Sequence, residues 1–239
     1  MSAYVIDFHS HMLPGIDDGS PDVDTSLAML HTASQQGVQV QVLTPHYYPW
    51  REDIQSFVSR REESLRVLSG AMGSDLPSIL VGAEAAFFHN MSRTDLSPLC
   101  IGSSRVILIE LPFENWDRRV LDEIAALSLD KGYQVVLAHV ERYLGFRNNY
   151  EMLGNLSELP IHMQVNAESF LRFTSRKKTL DLLRSGKAHI LGSDAHNCSD
   201  RRPNLLEGRQ YIAKRLGAGF LRNMDEVSSE LLQKEFAVQ

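Results

Sequence analysis

Short apolar runs alternate with longer amphipathic stretches along the whole chain. The apolar runs predict seven β-strands, at residues 4–8, 38–44, 79–82, 105–111, 133–138, 161–166 and 188–192. The stretches between them repeat apolar residues at helical spacing and predict helices near residues 23–30, 54–68, 117–130, 177–183 and 205–216. The strands are apolar on both faces, which favours parallel strands covered by helices.

This alternation of strands and helices predicts the fold class. The units follow one another without a linker rich in proline, glycine and serine. We therefore expect an α/β protein in which residues 1–239 form one domain, an irregular (β/α) barrel with seven strands, one fewer than the usual eight. No glycine-rich phosphate-binding loop follows the first strand, where the chain instead has His9-Ser10-His11.

Composition and charge exclude several classes of protein. The 24 Lys and Arg against 30 Asp and Glu give a net charge of −6, which argues against nucleic acid as a partner. The longest strongly apolar runs have the length of strands, so no insertion into a membrane is expected. Cys100 and Cys198 form no Cys-x-x-Cys pair, and the first residues lack a basic region typical of export signals. We expect a cytoplasmic protein; the sequence makes no prediction of its oligomeric state.

Ionisable residues concentrate where the predicted strands end, which is where barrel enzymes place their chemistry. Five of the nine histidines lie at these positions, so a chance scatter is a poor explanation. Six strand ends contribute His, Asp or Glu, and these residues are His9, His11, His46, Glu84, Glu110, His139, Asp194 and His196.

A polynuclear metal site is the simplest account of this cluster. Any one of these residues alone is more often structural, but burying so many ionisable groups together is costly unless cations neutralise them. Mixed imidazole and carboxylate ligands suit Mn, Fe or Zn better than Mg. Metals held close together would activate a hydroxide and polarise a substrate oxygen, and phosphate esters are the natural substrates of such a site.

Further residues lie close to the strand ends in sequence. Arg142, Arg201 and Arg202 follow the predicted ligands closely, and arginine binds phosphate through two parallel hydrogen bonds. Asp17 and Asp18 are close enough to His11 to reach the same site. Three aromatic residues after His46 could either pack against an aryl leaving group or cover the barrel edge, and these are Tyr47, Tyr48 and Trp50.

The motifs together resemble the PHP (polymerase and histidinol phosphatase) superfamily. They are Asp7-Phe8-His9-Ser10-His11, Asp17-Asp18-Gly19, Gly82-Ala83-Glu84, Ala138-His139-Val140-Glu141-Arg142-Tyr143 and Ser193-Asp194-Ala195-His196-Asn197. The Asp-Asp-Gly and His-x-Glu-Arg-Tyr elements are more similar to one branch, the manganese-dependent tyrosine-protein phosphatases of bacterial capsule and exopolysaccharide operons, the CpsB/YwqE type. The resemblance extends from about Ile6 to Arg202 and implies the PHP fold, an irregular seven-stranded barrel of TIM type.

The resemblance also implies a set of ligands for three divalent metal ions, with manganese favoured over iron or zinc. His9, His11, Glu84 and Asp194 would hold the first ion. Glu84, as a bridge, would hold the second ion together with Glu110 and His139. Asp18, His46 and His196 would hold the third. Arg142 and either Arg201 or Arg202 would bind the phosphoryl group, with Arg201 favoured by its spacing from His196.

The implied activity is hydrolysis of phosphotyrosine in the tyrosine-rich tail of a bacterial tyrosine autokinase, which regulates capsular or exopolysaccharide synthesis. A metal-bound hydroxide would attack phosphorus directly, without a cysteinyl-phosphate intermediate. Another PHP phosphoesterase, such as a histidinol phosphatase, could use the same ligands. An amidohydrolase also begins with His-x-His but carries a bridging lysine where this chain has Glu110. A docking protein that has lost catalysis is the alternative outside enzymes.

Overall fold

The structure is a computed structural model that describes residues 3–236. Within this range the strands are β1 (Ile6–Asp7), β2 (Val40–Leu43), β3 (His46–Tyr47), β4 (Ser78–Val81), β5 (Glu84–Ala86), β6 (Val106–Glu110), β7 (Gln134–Leu137), β8 (His162–Asn166) and β9 (Ile190–Gly192). The helices are α1 (Val23–Gln35), α2 (Ile54–Ala71), α3 (Arg118–Ala125), α4 (Asn149–Leu156), α5 (Arg176–Arg184), α6 (Leu205–Leu216), α7 (Ala218–Leu231) and α8 (Gln233–Phe236).

All strand pairings in this range are parallel. One sheet has the order β1-β2-β4 and the other has the order β3-β5-β6-β7-β8-β9. The predicted α/β class with a parallel sheet covered by helices is therefore confirmed. The structure differs from the predicted seven strands, because the short strands β3 and β5 lie beyond the ends of the predicted strands 38–44 and 79–82 and belong to the second sheet.

The break between β2 and β3 and the break between β4 and β5 each have a local cause. Between β2 and β3 lies Pro45, which has no N–H to donate to a neighbouring strand. Between β4 and β5 lies Gly82, where an added Cβ would come within 2.8 Å of the Ile101 side chain. Hydrogen bonds nevertheless continue across both breaks, from Gly82 N to Leu43 O at 2.9 Å and from Glu84 N to Pro45 O at 3.0 Å.

The two sheets also meet at the other side, between β1 and β9. Phe8 N donates to Leu191 O at 3.3 Å, and Asp194 N donates to His9 O at 2.8 Å. His11 N donates to Ala195 O at 2.9 Å, which extends the contact beyond the strand ends. The residues that follow β1 and β9 are thus held side by side.

The side chains of β6 alternate between two buried clusters on opposite faces of the strand. Val106 and Leu108 belong to a buried cluster between the strands, whereas Ile107 and Ile109 belong to the cluster beneath the helices. Since successive side chains of a strand point to opposite faces, Glu110 lies on the same face as Val106 and Leu108. The inner face of the strand therefore ends in a carboxylate.

The helices cover the outer faces, and their ends carry recognisable signals. Asp22 caps α1 by accepting a hydrogen bond from Thr25 N at 2.8 Å. Gly37, directly after the end of α1, has φ +83°, a conformation that favours glycine. Asp117 caps α3, which continues as a π-helical turn at Ala126–Asp130. Among the described residues, no helix combines the length and the apolar character needed to cross a membrane.

Candidate metal centre

The strand ends bring the predicted ligands together at one end of the molecule. His9 and His11 follow β1, His46 begins β3, and Glu84 begins β5. Asp18 lies between β1 and α1, and the other four follow or end later strands, namely Glu110, His139, Asp194 and His196. His139 and Asp194 have φ values of +34° and +53°, so the backbone turns sharply at both positions.

Glu84 lies at the middle of this cluster and is buried. Its Oε2 atom lies 2.9 Å from His46 Nδ1 and 3.3 Å from the Nε2 atoms of both His9 and His11. Its Oε1 atom lies 2.8 Å from His139 Nε2. A carboxylate with imidazoles on both oxygens is suited to bridge two cations.

Asp194 and Glu110 extend the cluster on two sides of Glu84. Asp194 Oδ1 lies 3.6 Å from His9 Nε2 and 3.5 Å from His11 Nε2. Glu110 Oε1 lies 3.5 Å from His139 Nε2. Ligand atoms of His9, His11 and Glu84 come within 4.8 Å of one another, as do those of His46, Glu84 and Glu110.

A further group includes Asp18, which lies at the solvent-exposed edge. Asp18 Oδ1 lies 3.5 Å from His46 Nε2 and 3.7 Å from His196 Nε2. These three residues and His11 have ligand atoms within 4.8 Å of one another. The structure thus places all nine predicted ligands around one centre. His11 belongs both to the group with His9 and Glu84 and to the group with Asp18, His46 and His196.

Several buried polar atoms of the centre have no hydrogen-bond partner within the protein. They are Glu84 Oε2, His46 Nδ1, His139 Nδ1 and His196 Nε2. Glu84 Oε2 is surrounded by nitrogen atoms at 2.9–3.3 Å, yet none is oriented as a donor to it. A buried carboxylate oxygen without a donor is costly, and a cation would remove that cost. The donor set therefore fits divalent metal ions.

The carboxylates and imidazoles of the centre shift one another's pKa values. Burial raises the pKa of a carboxyl group, but the imidazoles of His9 and His46 hold the pKa of Glu84 well below its usual range. Burial likewise lowers the pKa of His139, but hydrogen bonds to Glu110 and Glu84 raise it to about 9. Burial and the neighbouring His11 lower the pKa of His196 to about 3. Since imidazoles bind metals in their deprotonated form, a cation bound at His139 would displace a proton at neutral pH, whereas His196 is already deprotonated there.

Three residues that support the ligands are absent from the predicted ligand set. Asp17 Oδ2 lies 2.7 Å from His11 Nδ1 and also accepts a hydrogen bond from His46 N at 2.9 Å. Gln164 Oε1 lies 3.2 Å from His9 Nδ1 and accepts from His139 N at 2.8 Å. Such hydrogen bonds orient metal-binding imidazoles.

Asn166 continues the support from Gln164 to Asp194. Gln164 Nε2 donates to Asn166 Oδ1, and Asn166 Nδ2 donates to Asp194 Oδ2, both at 2.8 Å. Gln164 and Asn166 alternate on β8, which ends without a histidine or an acidic residue. The signal available in the sequence is the alternation of polar and apolar residues in β8, with His162, Gln164 and Asn166 on one face.

The three arginines differ in where they point. Arg201 donates from Nη2 to both carboxylate oxygens of Asp194 at 3.1 Å, and its Nη1 lies 3.8 Å from Asp18. Arg142 Nη1 lies 3.6 Å from Asp194 Oδ2. Arg202 instead donates to Pro203 O and Glu207. Arg142 and Arg201 both line a cavity of about 430 Å³ that adjoins Asp194.

The aromatic residues after His46 have different environments. Tyr47 is buried against Phe57, with ring centroids 5.3 Å apart. Tyr48 stacks on His46 at 5.0 Å, and Trp50 contacts Tyr48 while remaining 67% exposed. A further ring was not singled out in the sequence: Phe113 stacks on His139 at 5.8 Å. Tyr47 therefore belongs to the core, whereas Tyr48 and Phe113 border the centre.

The other four histidines have contacts elsewhere. His31 lies near Asp75 on the surface, and His89 packs against Phe87. His162 and His189 pack against each other with ring centroids 5.5 Å apart. Cys100 is buried and Cys198 is exposed, and neither forms a disulfide.

The fold and the site define a class of protein: a parallel α/β fold with a cluster of imidazoles and carboxylates, suited to several divalent cations, at the carboxyl ends of its strands. Residues 5–230 match the family model described as capsular polysaccharide synthesis, CpsB/CapC. The chain belongs to this family.

Relatives in this family are named as phosphatases. The chain is 28% identical to the tyrosine-protein phosphatase YwqE of Bacillus subtilis, with 97% of this chain and 92% of the relative covered. It is 27% identical to the tyrosine-protein phosphatase CpsB of Streptococcus pneumoniae, with 90% and 92% covered. A crystal structure from work on these two proteins, described as metal-dependent tyrosine phosphatases, matches with a TM-score of 0.82 and 26% identity, and covers 95% of this chain and 94% of that one.

A more distant likeness concerns the fold alone. An inactive dihydroorotase-like domain from Chaetomium thermophilum matches with a TM-score of 0.57 at 11% identity, and covers 97% of this chain and 79% of that one. The general architecture is therefore shared beyond the phosphatases.

Proposed function

We propose that this chain is a metal-dependent protein-tyrosine phosphatase that acts in capsular or exopolysaccharide synthesis. Membership of the CpsB/CapC family and the names of the relatives support this proposal. The single observation that carries it is the buried Glu84 carboxylate, which has imidazoles on both oxygens and no donor to Oε2. The substrate we propose is phosphotyrosine in the tail of a bacterial tyrosine autokinase.

The centre is proposed to hold three divalent ions, most readily manganese, with iron or zinc as substitutes. The first would be held by His9, His11, Glu84 and Asp194. The second would be held by Glu84, Glu110 and His139, and the third by Asp18, His46 and His196. Each set is joined by distances of 3.7 Å or less, and His46 Nδ1, at 2.9 Å from Glu84 Oε2, links the third set to the other two. When bound, such ions activate water and neutralise phosphoryl charge.

The protein's own residues bind and orient the substrate. Arg142 and Arg201 are proposed to hold the phosphoryl oxygens, because both guanidinium groups reach the centre and line the same cavity. Asp17 and Gln164 hold the imidazoles of His11 and His9 in place. A tyrosine leaving group has a parent pKa of about 10, so it depends less on a general acid than an alkoxide does.

We further infer that the two sheets form one irregular seven-stranded barrel, in a single domain spanning residues 1–239. The hydrogen bonds across the breaks at Pro45 and Gly82, and those between His9 and Asp194, support a closed ring. A cytoplasmic location is proposed from the two unpaired cysteines.

The experiment that tests the function compares phosphotyrosine, phosphoserine and histidinol phosphate as substrates, with Mn²⁺ and with a chelator. We expect hydrolysis of a phosphotyrosine peptide that the chelator abolishes and that a thiol-alkylating agent leaves unchanged. Activity on histidinol phosphate alone would place the chain among metabolic phosphoesterases. Bound metal without hydrolysis of any of the three would contradict the proposed activity.

A further inference from the structure

Two partly exposed aromatic rings border the metal centre, each stacked on a proposed ligand. The Tyr48 ring lies 5.0 Å from the His46 ring at an angle of 23°. The Phe113 ring lies 5.8 Å from the His139 ring at an angle of 20°. His46 and His139 both contact Glu84, one on each carboxylate oxygen. The two rings therefore flank the same bridging carboxylate.

Each ring is also in contact with an arginine. The guanidinium carbon of Arg51 lies 4.5 Å from the centroid of Tyr48, and that of Arg142 lies 4.7 Å from the centroid of Phe113. Stacking and cation–π contacts hold aromatic rings in defined orientations. These rings are thus ordered parts of the site although they are partly open to solvent.

Packing in the hydrophobic core does not account for the exposure of Phe113. Its side chain is 45% exposed, whereas Tyr143, which it contacts at 5.2 Å, is fully buried. An open apolar ring in contact with Arg142, which lines the cavity, is available for a ligand to cover. Because Arg142 is proposed to bind the phosphoryl group, a ring attached to that group would come close to Phe113.

We propose that Phe113, together with Tyr48, selects aryl phosphate monoesters over alkyl ones by packing against the phenyl ring of the substrate. The proposal rests on the proposed phosphatase function and assigns its preference for phosphotyrosine to these two side chains. A phosphoserine side chain has no ring to pack there, so it would gain only the contacts to its phosphoryl group. Phe113 and Tyr48 are specificity-determining residues in this proposal and take no part in bond breaking.

The test measures binding rather than turnover, so that the leaving group has no influence. Calorimetry on the manganese-loaded chain would give dissociation constants for benzylphosphonate, cyclohexylmethylphosphonate and methylphosphonate. Phe113→Leu removes the aromatic ring while retaining most of its volume, and Tyr48→Leu provides a second variant. Phe173→Leu is the matched control, because Phe173 is also exposed and also carries an arginine, Arg176, over its ring at 4.5 Å.

We expect the native chain to bind benzylphosphonate more tightly than both other phosphonates. Phe113→Leu should reduce this preference by about two- to tenfold, while the dissociation constant for methylphosphonate stays within about twofold. Phe173→Leu should leave all three constants unchanged. These results would support a direct contact with the phenyl ring.

Two results would overturn the proposal while leaving the phosphatase function intact. One is a native chain that hydrolyses phosphotyrosine but binds benzylphosphonate no better than cyclohexylmethylphosphonate. The other is equal weakening of methylphosphonate and benzylphosphonate in Phe113→Leu, which would show that Phe113 acts only by holding Arg142. Absence of both phosphonate binding and phosphotyrosine hydrolysis would instead overturn the proposed function.

Discussion

At the scale of single residues, the two consecutive arginines after His196 make opposite contacts. Arg201 turns towards the carboxylates of Asp194 and Asp18, whereas Arg202 donates to Pro203 O and Glu207. Spacing in the sequence favours Arg201 only weakly, since both residues follow the same loop. Arg201 lies in a turn, and its carbonyl oxygen accepts hydrogen bonds from His196 N at 2.8 Å and from Asn197 N at 3.3 Å, which holds it beside the centre.

This difference predicts unequal effects of two matched substitutions. Arg201→Ala should weaken competitive inhibition by inorganic phosphate by about ten- to a hundredfold, because it removes a charged hydrogen-bond donor to the anion. Arg202→Ala should change it by less than about twofold. Inhibition constants would be measured with metal content determined in parallel, since Asp194 must keep its ion. A larger effect of Arg202→Ala than of Arg201→Ala would contradict the assignment.

At the scale of elements, the close approach of β9 to the residues after β1 fixes the position of His9. An added Cβ on Gly192 would lie 2.7 Å from His9 Cβ and 2.9 Å from Gln164 Nε2. Distances this short force the neighbours apart. The Cβ of His9, a proposed ligand, cannot rotate away, so the backbone would have to shift. The glycine thus lets two strands and the side chain of a proposed metal ligand pack together.

Gly192→Ala should therefore damage both the fold and the site. We expect it to lower the free energy of unfolding by about 1–3 kcal/mol, the usual cost of overpacking. Metal content should also fall, because His9 is displaced. Gly70→Ala is the control: Gly70 lies in α2 with no heavy atom within 4 Å of its added Cβ, so stability should stay equal or rise. Urea denaturation and metal analysis would measure both, and equal behaviour of the two variants would refute the packing argument.

At the scale of the whole molecule, the sequence predicts where the strands lie and which residues end them. It predicts less well the side-chain contacts that join those residues. Glu110 and His139 are predictable because each ends an apolar run. Gln164 and Phe113 escape such prediction, since an amide or an aromatic ring has an ordinary structural role unless its neighbours are known. Asp17 is predicted to reach the site, but its hydrogen bond to the His11 imidazole is not. The helices α4 and α7 and the four-residue α8 are also missed. The first is a short helix that contains Gly154, whereas the second does carry apolar residues at helical spacing.

The metal centre joins residues from most of the strands, so cations should stabilise the whole fold. An ion that binds only the folded chain adds about 2.7 kcal/mol when its concentration is 100 times its dissociation constant. For a chain of 239 residues this corresponds to a rise in Tm of about 5–10 °C. We expect that rise when Mn²⁺ replaces chelator in a thermal denaturation experiment.

Glu84→Gln provides the decisive comparison, because Glu84 contacts ligands from β1, β3 and the end of β7. The amide is nearly isosteric but lacks the charge that we propose bridges two ions, so the rise in Tm should largely disappear. Without metal the variant should be less stable than the native chain at neutral pH, since the surrounding imidazoles hold the pKa of Glu84 below its usual range and so favour its charged form in the folded state. The same Mn²⁺-dependent rise in both proteins would show that the ions bind elsewhere and that the strand ends do not form their site.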